Sequence, residues 1–268
     1  MSSIPRILHY PGSKWGLANW IISHMPDHET YLEPFFGSGA VLFSKERSRV
    51  ETVNDIDDEI VNLFRVIRER PDELAHAIQW TPHSREEYYL SYEATEDELE
   101  RARRLIVRLW QGRGGKTAHR TGWRSMIEAN GPLPGKEWLR FPEKVEVVAE
   151  RLKGVQIENQ TALKLLQRYQ RPNVLIYADP PYVLATRTTS SYRYEMKEND
   201  HAELLDALDR HPGPVLLSGY AHPLYDDRLR NWTRETKKAK AEGGASREEV
   251  LWINPVAAAQ GGQLVLNL

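Results

Sequence analysis

The chain has 268 residues, of which 40% are hydrophobic and 28% charged, with a formal net charge of −2 and no cysteine. That length carries a full buried core, and the absence of cysteine excludes thiol catalysis, disulfides and cysteine-ligated metal. No stretch approaches the roughly 18 to 20 consecutive apolar residues of a membrane span, and Met1 to Tyr10 lacks the basic start and apolar run of a secretory signal, so a soluble cytoplasmic protein is expected.

Near the N-terminus, Tyr10-Pro11-Gly12-Ser13-Lys14 has the Gly-x-Lys look of a phosphate-binding loop. The first glycine of that motif is missing and Trp15 stands where Ser or Thr is needed, so the phosphate reading fails. An aromatic ring and a lysine suit an amino acid-like tail instead, the lysine facing its carboxylate and the ring its cation.

The first predicted strand, Thr30–Glu33, runs into Glu33-Pro34-Phe35-Phe36-Gly37-Ser38-Gly39-Ala40, after which Val41, Leu42 and Phe43 begin a helix. Strand, glycine turn and helix make a nucleotide-binding shape, because glycines let the backbone approach a ligand and adopt positive φ. A second predicted strand, Val50–Asn54, ends in Asp55-Ile56-Asp57. An acid about 20 positions after the first glycine is placed to take ribose hydroxyls. The turn is not G-x-G-x-x-G, which favours a phosphate-poor nucleoside over a dinucleotide.

Apolar residues at spacings of three and four predict helices at Asp58–Arg68, Ala162–Tyr169 and His201–Leu208. Further strands are predicted at Val174–Ala178, Val215–Ser218, Glu249–Ile253 and Leu264–Leu266. The alternation implies an α/β protein with an open, mostly parallel sheet covered on both faces. It fails between about Trp80 and Gly154, where helices and a Gly-rich turn segment predominate. The division that follows is a catalytic domain of residues 1–60 and 155–268 carrying a mainly helical insertion of residues 61–154.

The insertion holds a charge segregation that the net charge hides. From Arg101 to Arg124 there are eight basic residues and no acid, while Glu93, Glu96, Asp97, Glu98 and Glu100 precede them. Such a run is either a solvated face or a nucleic-acid surface. On the second reading Arg113, Lys116, Arg120 and Arg124, in or beside the turn, enter a groove of double-stranded DNA, and arginines of the Arg101–Trp110 helix contact phosphate.

The predicted strand Val174–Ala178 ends in Asp179-Pro180-Pro181-Tyr182. Prolines stiffen the loop and leave its carbonyls free to accept, which suits the gripping of an amino group. The N6 amine of adenine is a weak nucleophile, its lone pair delocalised into the ring. Acceptors at the Asp179 carboxylate and the Pro180 carbonyl would return density to nitrogen for attack on a methyl carbon in line with a departing sulfur. Tyr182 would stack on the base, which must leave the duplex first. A sulfonium already activates the methyl group, so no metal is called for.

Together these motifs resemble the Dam-type, D12 class of DNA N6-adenine methyltransferases across nearly the whole chain. Tyr10–Lys14, Glu33–Gly39, Asn54–Asp57 and Asp179–Tyr182 occur in the family's order, and Leu217–Tyr220 and Glu249–Pro255 are similar to its bacterial and prophage members. The resemblance implies a Rossmann-like fold dependent on S-adenosylmethionine, with a target-recognition domain inserted before the catalytic strand. It implies cofactor contact by Tyr10, Lys14, Glu33, Pro34, Phe35, Gly37, Gly39, Asp55, Ile56, Asn159, Gln160 and Asp179, and chemistry at Asp179, Pro180, Pro181 and Tyr182. Asn159 and Gln160, after a strand-like Val155–Glu158, would flank the cofactor adenine, although Thr161 stands where the family often has Asp. A restriction-modification setting, with a partner nuclease, is left open. Two rivals remain at this stage: an RNA-adenine or glutamine-amide methyltransferase using the same proline loop, and a DNA-binding regulator with an inactive core.

Overall fold

The computed structural model describes residues 4–127, 134–187, 190–240 and 246–266. Helix α1 (Ala18–Ile22) leads to strand β1 (Thr30–Glu33), and α2 (Ala40–Ser44) to β2 (Val50–Asn54). The helices α3 (Asp58–Glu69), α4 (Pro71–Gln79), α5 (Arg85–Leu90), α6 (Glu98–Gln111), α7 (Pro134–Leu139) and α8 (Phe141–Leu152) then precede β3 (Gln156–Glu158). After them come α9 (Ala162–Arg168), β4 (Val174–Ala178), α10 (Glu198–Asp209), β5 (Val215–Gly219), α11 (Pro223–Arg228), β6 (Thr233–Lys240), β7 (Ser246–Ile253) and α12 (Pro255–Leu266).

The described strands form one sheet in the order β3-β2-β1-β4-β5-β7-β6. The strands β1 to β5 run parallel, and β7 lies antiparallel to both β5 and β6. This is the doubly wound, Rossmann-like α/β arrangement that the alternation of elements predicts. The strand order reverses between β1 and β4, and ligands of such sheets bind beyond the carboxyl ends of the strands at that switch point.

Side-chain alternation along the strands divides the core between two faces. Tyr31, Leu175, Tyr177 and Leu216 join one apolar cluster, whereas Leu32, Val174, Ile176, Val215 and Leu217 join the other. Helices α9, α10 and α11 cover the second face. The first is covered by α3, α6 and α8, whose Phe64, Ile106, Trp110, Phe141 and Val145 share a continuous cluster with the sheet. No helix among the described residues is long and apolar enough to cross a membrane.

The structure corrects one predicted strand. Leu264–Leu266 ends α12, which Pro255 opens at a position where its missing N–H costs nothing and whose start Asn254 caps through a 2.9 Å bond from the Ala257 N–H. A strand the sequence reading lacked, β6, has the sequence Thr-Arg-Glu-Thr-Lys-Lys-Ala-Lys, polar except for Ala239. It forms the sheet edge, where charged side chains discourage pairing with another chain and no apolar alternation is required.

Candidate active site

The carboxyl ends of β1, β2 and β4 open on a cavity of about 360 Å³, within the range of small-molecule sites. The glycine turn after β1 forms its floor. Gly37 and Gly39 both have positive φ, at 50° and 68°, and a Cβ on Gly39 would stand 2.5 Å from the Phe43 ring and 2.6 Å from that of Phe36. The turn therefore requires glycine for both conformation and room.

The acid at the end of β2 closes this turn. Asp55 Oδ2 accepts from the Gly37 N–H at 2.8 Å and Oδ1 from the Asp57 N–H at 2.9 Å. An ionised carboxylate has about four acceptor positions, so each oxygen retains one for a ligand hydroxyl. Burial pushes the Asp55 carboxyl up to about 6, against those two backbone bonds. Beside it Ile56 is 42% exposed and offers the cavity wall an apolar face for a planar ring.

On the opposite wall stands the end of β4. Asp179 Oδ2 pairs with Lys14 Nζ at 3.0 Å, while Asp179 Oδ1 is buried and makes no hydrogen bond among the described residues. Burial raises the Asp179 carboxyl to about 6 against the pull of the Lys14 ammonium. Burial also works against the charge of Lys14, but Asp179 outweighs it and holds the ammonium above its ordinary value. Lys14 further donates to the Gly12 carbonyl at 2.7 Å. The lysine predicted to face a ligand carboxylate is thus engaged by the catalytic-loop acid. Glu33, which accepts from the Tyr31 hydroxyl at 2.8 Å, is driven by burial up to about 8.

Of the residues the sequence singles out, Tyr10, Lys14, Glu33, Phe35, Gly37, Asp55, Ile56, Asp179 and Pro181 line the cavity. Pro34, Gly39, Pro180 and Tyr182 lie behind this lining. Asn159 and Gln160 do not reach it. The Asn159 amide donates to the Asp55 carbonyl at 2.8 Å, and Gln160 exchanges backbone bonds with the Asn54 side chain at 2.9 and 3.0 Å, so both stitch β3 to β2. The wall expected of them comes instead from Thr161, Ala162 and Leu163.

Sequence reasoning also missed the segment from Tyr192 to Met196, which closes the cavity from above. The Tyr192 hydroxyl donates to the Pro11 carbonyl at 3.1 Å, and Arg193 reaches Asp57 and Asp58 at 3.1 Å. The aromatic-arginine-aromatic-acid run Tyr192–Glu195, ten residues beyond Tyr182, was the signal that could have found it.

The basic run separates into two populations. Arg101 pairs with Asp58 and Glu59 at 2.7 Å, Arg108 with Glu59 at 2.7 Å, Arg103 with Glu87 and Glu100 at 2.5 and 2.6 Å, and Arg104 with Glu100 at 2.6 Å. Acids on α3, α5 and α6 itself thus take up the charge of the arginines expected to contact phosphate. Beyond Gly112 the chain turns back as a hairpin bridged between Gly112 and Trp123. There Arg113 and Arg120 are exposed, Lys116 is half-buried, and Arg124 stands 3.8 Å from Glu137. The Arg120 guanidinium lies 5.0 Å from the Tyr89 ring centre, and Arg85, absent from the sequence reading, 5.0 Å from that of Trp123. The hairpin also touches the cavity's upper wall, because the N–H groups of Thr117 and Ala118 donate to the Ser191 carbonyl at 3.0 and 3.3 Å.

A cavity at the switch point of a doubly wound sheet, with a Pro-flanked carboxylate in its wall, fits the class of methyltransferases of planar amino groups. Comparison narrows it: residues 10–242 match the family of D12 class N6 adenine-specific DNA methyltransferases, and the chain belongs to that family. It is 26% identical over 261 residues to the DNA adenine methylase of Escherichia coli K12, with 91% of each chain covered. It is 25% identical over 260 residues to the type II methyltransferase M1.LlaDCHI of Lactococcus lactis, covering 88% of this chain and 89% of that one. Among solved structures, a precorrin-8W decarboxylase from Methanobacterium thermoautotrophicum aligns over 92% of this chain and 94% of its own, at 11% identity and a TM-score of 0.41. The family assignment rests on the sequence matches.

Proposed function

We propose that this protein methylates the exocyclic N6 of an adenine turned out of double-stranded cytoplasmic DNA, with Asp179 and Pro180 as the acceptors that activate the amine. The observation that carries this reading is the buried Asp179 Oδ1, which makes no hydrogen bond among the described residues, in the wall of the cavity that Asp55 and Gly37 also line. A buried acceptor without a partner costs free energy, and an amine hydrogen is the partner its position suits.

The cavity residues fit S-adenosylmethionine. Asp55 has acceptor capacity left for ribose hydroxyls, Ile56 offers a face to the adenine ring, and Asp55 and Asp57 favour a cation, the charge of Asp179 being matched by Lys14. Bound there, the cofactor supplies a methyl group already activated by its positive sulfur. Asp179 Oδ1 accepts one N6 hydrogen and the Pro180 carbonyl the other, which draws the nitrogen toward tetrahedral geometry. As the N–C bond forms and the methyl–sulfur bond breaks to leave a neutral thioether, positive charge develops on the amine. The Asp179 carboxylate stabilises that charge and discharges it by taking the surplus N6 proton. Lys14, bound to the other oxygen, orients the carboxylate. Tyr182 supplies the surface on which the extruded base stacks.

Site choice falls to the hairpin, with Arg113, Lys116, Arg120 and Arg124 directed at the DNA grooves. The Tyr89 ring under Arg120 holds its guanidinium at the surface with little rotamer freedom, which suits bidentate reading of a base edge. The test is to treat mixed-sequence duplex DNA with the protein and S-adenosylmethionine, then sequence it by a method that detects N6-methyladenine. Methylated adenines sharing one sequence context are expected; methyl groups on cytosine, or no methylation, would overturn the reading.

A further inference from the structure

The alternation of β7 gives Glu249 a position that its neighbours fill with apolar side chains. Leu251 and Ile253, two and four residues on, both belong to the core, yet Glu249 is only 8% exposed. A carboxylate at such a place costs free energy unless something compensates. Its partner is the Tyr182 hydroxyl, which donates to Glu249 Oε2 at 2.6 Å, the short length of a charge-assisted bond. A phenol has one proton to give. This geometry gives it to Glu249 and leaves Asp179 to Lys14.

The pair is not needed to fill space, since phenylalanine would occupy the tyrosine's slot and an aliphatic residue the glutamate's. Its effect is to direct the ring. A bond at the tip of the side chain fixes where the ring points. The edge of the Tyr220 ring, 4.6 Å away and inclined at 72°, together with the Lys14 ammonium 4.8 Å from the ring centre, restrains its plane.

We propose that Glu249 is a positioning residue for methyl transfer, acting through the Tyr182 hydroxyl to hold the ring as the platform for the extruded adenine. This rests on the reading of Tyr182 as the stacking surface. Glu249 does not line the cofactor cavity and makes no hydrogen bond to Asp179 among the described residues, but its charge bears on Asp179 and Lys14. Glu249→Gln, which keeps the acceptor and removes the charge, separates that influence from the capture and alignment of the base through Tyr182.

The test measures single-turnover methylation of duplex DNA at saturating S-adenosylmethionine, with cofactor affinity measured alongside by calorimetry. Losing a hydrogen bond to a charged group is worth roughly 10- to 150-fold. Glu249→Ala should slow the single-turnover rate by at least about 10-fold on that scale and leave cofactor affinity unchanged. Glu249→Gln, which keeps an acceptor, should restore most of the rate. Tyr182→Phe, which keeps the ring but not the hydroxyl, should be slowed like Glu249→Ala, and the double variant should be no slower than the slower single. Should Glu249→Ala not fold, Tyr182→Phe and Glu249→Gln carry the same comparison. An unchanged rate in Glu249→Ala or in Tyr182→Phe, or a Glu249→Ala penalty undiminished in the Tyr182→Phe background, overturns the proposal. Tyr182→Ala separates the two readings. If it too methylates normally, the stacking platform itself fails; if it loses activity while Glu249→Ala keeps it, only the role of Glu249 fails.

Discussion

Asp55, buried, and Asp179, half-buried, both stand at strand ends with carboxyls raised by desolvation to about 6, yet their surroundings separate their tasks. Asp55 is gripped by two backbone N–H groups and lines the cavity proposed for the cofactor, so Asp55→Ala should weaken S-adenosylmethionine binding about 10- to 150-fold, the worth of a charge-assisted hydrogen bond. Calorimetry on a variant with wild-type melting behaviour checks this. Asp179 activates an amine only as the anion. Its carboxyl gains a proton as pH falls through about 6, so the rate at subsaturating cofactor and DNA, which follows the free protein, should be level above that value and fall below it. A rate indifferent to pH between 5 and 8 would remove the carboxylate from the chemistry. These two residues were legible because a strand-end acid beside a glycine turn, or before two prolines, has few other uses. Asn159 and Gln160 were not, because polar side chains after a strand can face a ligand or clasp the neighbouring strand, and only the register of β3 on β2 decides. The pairing of Tyr182 with Glu249 spans 67 residues and leaves no local pattern to read.

At the scale of elements, the basic run shows how charge counted along a sequence misleads. Helix α6 turns its arginines toward the acids of α3 and α5, which the linear count placed elsewhere, whereas the hairpin keeps Arg113 and Arg120 exposed. If Arg113 or Arg120 neutralises a phosphate, its replacement by Ala should reduce the dependence of DNA affinity on log salt by roughly one unit of slope. If it reads a base edge instead, the replacement should relax site preference by about 1 to 3 kcal/mol. Arg101→Ala should leave both unchanged and show its effect in stability. Methylation of matched and singly altered sites at several salt concentrations decides, and equal salt slopes for the two groups would move recognition away from the hairpin. Long amphipathic helices such as α3 were readable from their period. The edge strand β6 was not, since apart from Ala239 it carries no apolar side chain and so shows no alternation.

Across the whole molecule, the switch point between β1 and β4 gathers motifs that lie more than a hundred residues apart in the chain, and the order of those motifs was legible before the sheet was. What sequence could not show is how the helices between β2 and β3 are fixed to the sheet. A buried cluster does this: Glu51 of β2 accepts from Arg151 of α8 at 2.6 and 2.8 Å and from Lys45 at 2.8 Å. Burial raises the Glu51 carboxyl, but the bonds from Arg151 and Lys45 outweigh it and hold it below its ordinary value. Removing the shared acid leaves the buried Arg151 and Lys45 charges unmatched, so Glu51→Ala should cost about 3 to 5 kcal/mol in denaturant unfolding without altering the active-site residues. A loss under about 1 kcal/mol would show the cluster to be as weak as an exposed pair.

The account depends most on Asp179 as the acceptor that activates N6, and one measurement tests it directly: single-turnover transfer of labelled methyl from S-adenosylmethionine to duplex DNA by Asp179→Ala, beside its calorimetric affinity for the cofactor. The geometry predicts near-normal cofactor affinity with the rate reduced at least about 100-fold, because the missing interaction matters most as the amine becomes tetrahedral. Near-normal transfer to adenine by a variant that binds the cofactor would contradict it.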